Sequence, residues 1–453
     1  MRCILLAAFL FLFTGSGRAQ SDSEVIRNIA NEIYRHSTAY SNLYDLTKHV
    51  GPRLSGGPQT YLAEKWGEEA LKQAGAEKVY LQETQIPHWV RGGKDEAALI
   101  SGKNRQPLSV IALGNSVSTK IGGLNAPMIL IRDFDELEKK KDEIKGKIVF
   151  YNHPFNPDFV WVFEAYSEAV PYRVFGASRA AKYGALGVVV RSMSSSTDNI
   201  PHTGAMIYND SFPKIPALAV GLKDADKMAA AAVVEKDLHL VISTQAHALA
   251  DTVGYNVIGE WRGSEFPDQY ITVGGHLDSW DPAEGASDDG TGCVQSIEVL
   301  RALKAIGYKP RHTIRVVLFA DEENGGAGAK KYSAEAKAKN EKHLFALESD
   351  GGGFTPRGFS FNGTSSQLSA VQPFLELLKP YGVYEFKTVG AGADVEPLQA
   401  ATGALVAELL PDSQRYFDYH HAASDVFEKV NKRELELGAI NMAALIYLTD
   451  KYR

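Results

Sequence analysis

The chain has 453 residues, 44% of them hydrophobic and 23% charged. That is too long for one typical core, which suggests two or three domains, and too apolar for a disordered chain. The formal net charge of −7 argues against nucleic-acid binding, which needs a basic face.

The first nineteen residues read as a secretory signal peptide. Arg2 forms a small positive n-region, Cys3 to Phe13 is an apolar run, and Ala19 sits at a small-residue cleavage position. That run is too short to span roughly 30 Å of hydrocarbon as a helix. The expected location is therefore secreted or periplasmic. Cleavage would remove Cys3 and leave Cys293 as the one cysteine, so no internal disulfide is expected. Cys293 falls in a helix candidate and reads as a small buried hydrophobe, not a nucleophile. Asn209-Asp210-Ser211 and Asn362-Gly363-Thr364 are glycosylation sequons.

Residues 22–36 and 57–74 predict helices, with Ile26, Ile29 and Ile33 at helical spacing. The glycine- and proline-rich stretch 51–58 between them predicts a loop. Residues 77–112 suggest strands and turns. From 119 to 247 short strand candidates (Met128–Ile131, Lys147–Tyr151, Gly187–Val190, Ala217–Val220) alternate with short helix candidates. This stretch suggests a self-contained α/β insert with no metal-ligand cluster of its own. From 268 onward strands and helices alternate. Strand candidates are Tyr270–Gly274, Thr313–Ala320, His343–Leu347 and Ala404–Leu409; helices are expected near 291–306, 326–339, 365–379 and 432–447. The near-continuous apolar run over 313–320 fits a parallel strand buried on both faces. The expected architecture is a doubly wound, mostly parallel α/β sheet built from residues 20–118 and 248–453, with 119–247 inserted.

In such sheets, sites form beyond the carboxyl ends of the strands. There the sequence places His276 and Asp278, then Asp288 and Asp289, then Asp321, Glu322 and Glu323, then Asp350, and finally Asp412, His420 and His421. One acid or histidine at a strand end means little. Three consecutive strand ends delivering them to one sheet edge means more, because packed carboxylates repel unless a cation neutralises them. Histidine and carboxylate ligands without a thiolate suit zinc in an open catalytic site. The sequence has no nucleophile elbow, phosphate loop, dinucleotide fingerprint or His-Glu-x-x-His helix.

Five motifs occur in order: Gly274-Gly275-His276-Leu277-Asp278-Ser279-Trp280-Asp281, Asp288-Asp289-Gly290, Ala320-Asp321-Glu322-Glu323-Asn324-Gly325-Gly326, Glu348-Ser349-Asp350-Gly351-Gly352, and His420-His421-Ala422-Ala423-Ser424-Asp425. The set resembles the co-catalytic two-zinc exopeptidases, from about residue 25 to 450. That resemblance implies two Zn2+ per chain, with His276 and Asp350 on one, Glu323 and His421 on the other, and Asp288 bridging. It implies Glu322 as general base toward a metal-bridged water, and Asp278 as support for His276. It also implies a cis peptide after Asp288 and a protease-associated character for the insert. His421, not His420, lies four residues before Asp425, as the family ligand does; the usual Thr after that Asp is Val426 here. The implied function is a secreted metallopeptidase acting on dipeptides or the ends of small peptides. Its expected partners are peptide substrates, with no nucleic acid and no membrane, and homodimerisation left open. A zinc aminopeptidase acting on longer peptides, or a receptor-like relative without catalysis, are the alternatives.

Overall fold

The computed structural model describes residues 20–453; the expected signal peptide and Cys3 lie outside them. Two eight-stranded sheets organise the chain. The first runs in the order Lys78–Ile86, Thr252–Trp261, His312–Phe319, Phe266–His276, Lys342–Glu348, Leu405–Pro411, Pro356–Asn362, Glu385–Lys387. Its four central strands are parallel. Antiparallel pairings flank them, with Thr252–Trp261 on one side and Pro356–Asn362 on the other.

Side-chain alternation explains why these strands carry helices on both faces. Val316 and Leu318 join a core with Ile26, Ile33, Leu300, Leu303 and Leu445, from the helices Asp22–His36, Thr291–Ala305 and Lys432–Tyr452. Val317 and Phe319 face the other way, onto Tyr332 and Ala336 of the helix Ala327–Ala338 and Leu398 of a shorter one. Each such aliphatic side chain contributes about 1.5–3 kcal/mol when fully buried. Cys293 is among the buried residues, and its Sγ donates to the His276 carbonyl at 3.0 Å.

The winding sets the site. After Phe266–His276 the chain crosses to His312–Phe319 on one side, then returns to Lys342–Glu348 on the other. The carboxyl end of Phe266–His276 is therefore the point at which strand order reverses, where a crevice opens.

The second sheet runs Asn104–Leu108, Glu96–Ser101, Leu238–Ser243, Leu124–Ile131, Ile148–Tyr151, Gly187–Arg191, Ala217–Val220, Val110–Ala112. The expected boundary at 119 is corrected here, because three strands before it belong to this sheet, and the inserted unit begins near residue 96. Glu96–Ser101 and Asn104–Leu108 form a hairpin that pairs with Leu238–Ser243 far along the chain. Alternation marks such segments as strands but does not say which sheet they join. The helix expected over 365–379 is also broken. Ser365–Val371 and Leu375–Leu378 are separate α-helical pieces, with 3₁₀ turns at Gln372–Phe374 and Lys379–Tyr381. Pro373 and Pro380 lack the N–H that a continuous ladder needs. Among the described residues no helix is long and apolar enough to cross a membrane.

Candidate metal centre

Three parallel strands end side by side and each delivers its acid or imidazole to the same place. His276 is the last residue of its strand and is fully buried. Its Nε2 lies 3.2 Å from Asp288 Oδ1, 3.4 Å from Asp350 Oδ1 and 4.0 Å from Glu322 Oε2. On the other side of Asp288, His421 Nε2 lies 3.3 Å from Asp288 Oδ2 and 2.9 Å from Glu323 Oε2. His420 Nε2 is further off, 3.8 Å from the same Asp288 oxygen, and its ring stacks on that of His421 with centroids 3.6 Å apart.

Two groups of side chains thus present ligand atoms within 4.8 Å of one another: His276, Asp288 and Asp350, and Asp288 with His420 and His421. Asp288 belongs to both. The structure brings every expected site residue to one end of the sheet. It leaves both neighbouring histidines beside Asp288, with His421 the better placed toward Glu323.

The backbone is shaped to allow this. The Asp288–Asp289 peptide is cis. Asp425 accepts from the amides of Ser287 (2.7 Å) and Asp288 (3.1 Å) and so fixes the bridging segment. Asp289 accepts from the amides of His276 (3.1 Å) and Gly292 (2.8 Å), tying the strand end to the helix start. A Cβ on Gly292 would lie 1.9 Å from the Ser349 carbonyl oxygen, so only glycine admits this approach. Asp321 and His421 both take positive φ, 62° and 59°, an uncommon state for residues with a side chain and one that gathers at functional sites.

Asp278 lies behind His276. The ring Nδ1 is 3.1 Å from the Asp278 main-chain carbonyl and 3.6 Å from its carboxylate. That carboxylate accepts from Ser55 Oγ (2.9 Å) and from the Glu322 amide (3.0 Å). It therefore reaches the centre from two sides, near the His276 ring and at the backbone of Glu322.

The charges do not balance among themselves. Burial, opposed by His276 and reinforced by Asp350, Asp278 and Asp288, pushes Glu322 up to about 8. Burial also raises Glu323 well above the usual range, with the Asp288 charge adding to it, and raises Asp350. Asp288 is held low although burial works against this, because the His276 ring beside it and the other positive groups nearby outweigh the desolvation. Burial would lower His276, yet the surrounding Asp350, Asp278 and Asp288 raise it well above its ordinary value. Four buried atoms at the heart of the cluster, His276 Nε2, Asp288 Oδ2, Glu323 Oε1 and Asp350 Oδ1, make no hydrogen bond among the described residues. Unpaired buried polar atoms are costly. A divalent cation satisfies such atoms and inverts the proton preferences together, so the donor set fits metal.

Several contributors escaped the sequence reading. The cleft over the centre, about 250 Å³, is lined by Glu408, Tyr416 and Phe417 of the catalytic unit and by Phe163, Tyr166 and Arg173 of the insert. Arg173 is buried, and its Nη2 donates to Tyr166 Oη at 2.7 Å. Its Nη1 lies 3.3 Å from His421 Nδ1, and its Nε has no partner among the described residues. Nothing local to Arg173, one of several charged residues in the insert, distinguishes it. Asp425 alone left a trace, through its four-residue offset from His421.

Comparison with known proteins places this geometry. The model of peptidase family M28 matches residues 256–446, the stretch that carries every candidate ligand. Carboxypeptidase Q of Homo sapiens is 34% identical over 426 residues, 94% of this chain and 88% of that protein. The crystal structure of a peptidase M28 precursor from Shewanella amazonensis SB2B superposes with a TM-score of 0.90 at 32% identity, covering 95% of this chain and 96% of that one. A zinc aminopeptidase from Bacillus subtilis, 20% identical over 90% of this chain and 94% of its own, shares the fold with a TM-score of 0.64. The chain belongs to peptidase family M28. Within that family it is a carboxypeptidase Q-like metallopeptidase.

Proposed function

We propose that the protein is a secreted di-zinc exopeptidase that hydrolyses dipeptides and trims small peptides. The observation that carries this reading is the pair of ligand groups sharing Asp288, with unsatisfied atoms facing inward from both sides. His276 and Asp350 would hold one zinc, Glu323 and His421 the other, and Asp288 both. Zinc bound there supplies Lewis acidity toward the scissile carbonyl and makes water a better acid.

The proton chemistry falls to Glu322. Its carboxylate stands 4.0 Å from His276 Nε2, whereas that of Glu323 lies 2.9 Å from His421 Nε2, and 23% of the Glu322 side chain reaches the cleft. Glu322 takes the proton of the attacking water and returns it to the leaving amine. Its amide is held by the Asp278 carboxylate at 3.0 Å, which fixes the backbone that carries it. Asp278→Asn is expected to lower zinc affinity or turnover by about 10–100-fold. Parallel zinc dialysis and rate measurements check this, and no change in either would remove Asp278 from the account.

Arg173 supports recognition of a free carboxylate. A buried guanidinium whose side-chain neighbours are a phenol and an imidazole is costly unless an anion joins it. A peptide lying across the centre would bring its terminal carboxylate there. Arg173→Gln should raise KM at least tenfold for free dipeptides and leave kcat within a few-fold. C-terminally amidated dipeptides should be poor substrates of the parent and indifferent to the substitution. Equal losses on free and amidated substrates would instead favour recognition of the amino terminus, the aminopeptidase reading. The functional test is a panel of free and end-blocked dipeptides with and without a chelator.

A further inference from the structure

The inserted unit touches the centre at a second place besides Arg173. Its segment His202–Gly204 runs beside His420–Ala422, and His202 pairs with Ala422 as an antiparallel bridge. The Thr203 amide donates to the His421 carbonyl at 2.9 Å. His202 Nδ1 donates to the His420 carbonyl at 2.8 Å, and this is the ring's one polar contact, since Nε2 has none among the described residues. The Thr203 carbonyl lies 3.3 Å from His421 Nδ1. Arg173 Nη1 lies equally 3.3 Å from that nitrogen, so two groups of the insert hold the ring at Nδ1 while Nε2 faces Glu323 and Asp288.

The segment is itself anchored. Thr203 Oγ1 donates to the carbonyl of Ala112, and the His202 amide donates to Ser192 Oγ, which donates to the carbonyl of Val220. Ala112 and Val220 end strands of the second sheet. The contacts therefore run from that sheet to the backbone on both sides of a ligand whose φ is +59°, a conformation that needs outside support. Gly204 completes the fit. At φ +127° a Cβ there would lie 2.5 Å from His421 Nδ1 and 2.6 Å from the Arg173 guanidinium carbon.

We propose that His202–Gly204 is a positioning element of the metal centre, and that the insert thereby sets the orientation of His421. This rests on the reading of His421 as a zinc ligand. Outer partners of this kind are worth about 10–100-fold in metal affinity.

The test is zinc affinity, measured by competition with a chromophoric chelator on the full chain, with a thermal melt of each metal-free protein. His202→Leu fills the space without a donor; His202→Asn keeps one. His202→Leu should weaken one of two zinc ions by about 10–100-fold, and His202→Asn should stay within about threefold of the parent. Gly204→Ala should also weaken one zinc, by steric displacement of His421. Parental affinity at both sites in folded His202→Leu would overturn the proposal, as would equal losses in the Leu and Asn variants, which would point to packing. Should His202→Leu not fold, Gly204→Ala decides: parental affinity for two zinc ions overturns the proposal. A parent that binds no zinc would refute the metal centre itself, a separate outcome.

Discussion

Glu322→Gln is expected to lower kcat by about 10²–10⁴-fold with its zinc content unchanged. The substitution keeps size and shape and removes basicity. Glu322 comes no nearer to a candidate histidine ligand than 4.0 Å, from His276 Nε2, so the substitution should spare the proposed metal shell and the proposed carboxylate contact at Arg173. The size of the fall is the usual share of general acid–base catalysis, roughly 3–5 kcal/mol of barrier at about 1.36 kcal/mol per decade. Glu323→Gln separates the two neighbours. Its carboxylate lies 2.9 Å from His421 Nε2, so this variant should lose metal together with activity. Zinc analysis beside single-turnover rates checks both. Loss of zinc from Glu322→Gln with retention by Glu323→Gln would reverse the assignment. Near-normal turnover by Glu322→Gln would move the proton role to another acid such as Asp321.

The second large effect concerns the adjacent histidines. His421→Ala should abolish tight binding of one zinc and with it most activity; His420→Ala should leave close to two zinc ions per chain. The distances favour this order. His421 Nε2 approaches both Glu323 and Asp288, whereas His420 Nε2 reaches only Asp288, at 3.8 Å. The His420 ring packs among Tyr166, Tyr416 and Phe417 and forms a wall of the cleft. Some loss of thermal stability is therefore expected for His420→Ala without loss of metal. Metal analysis of the two purified variants decides, and loss of zinc from His420→Ala alone would exchange the roles.

The catalytic sheet was legible because its signals are local. Parallel strands buried on both faces are continuous apolar runs, and the predicted Thr313–Ala320 differs from His312–Phe319 by one residue at each end. The acids after each strand were legible for the same reason, since chain order alone puts them at one edge. The first boundary of the insert was not. Glu96–Ser101 finds its partner in Leu238–Ser243, more than a hundred residues away, and no local pattern encodes that choice. Arg173, Thr203 and Gly204 were hidden likewise. Their roles depend on the insert folding back over His421, a tertiary contact that leaves no spacing in the sequence. The two histidines stayed ambiguous because adjacent residues arrive at the same place together.

The most direct test of the central claim is a zinc titration of the metal-free protein, followed by the rate of hydrolysis of a free dipeptide. Two zinc ions held around a shared Asp288 predict no turnover without metal and a rate that rises to a plateau at two equivalents per chain. Full activity at one equivalent, or hydrolysis that persists in the metal-free protein, would contradict it.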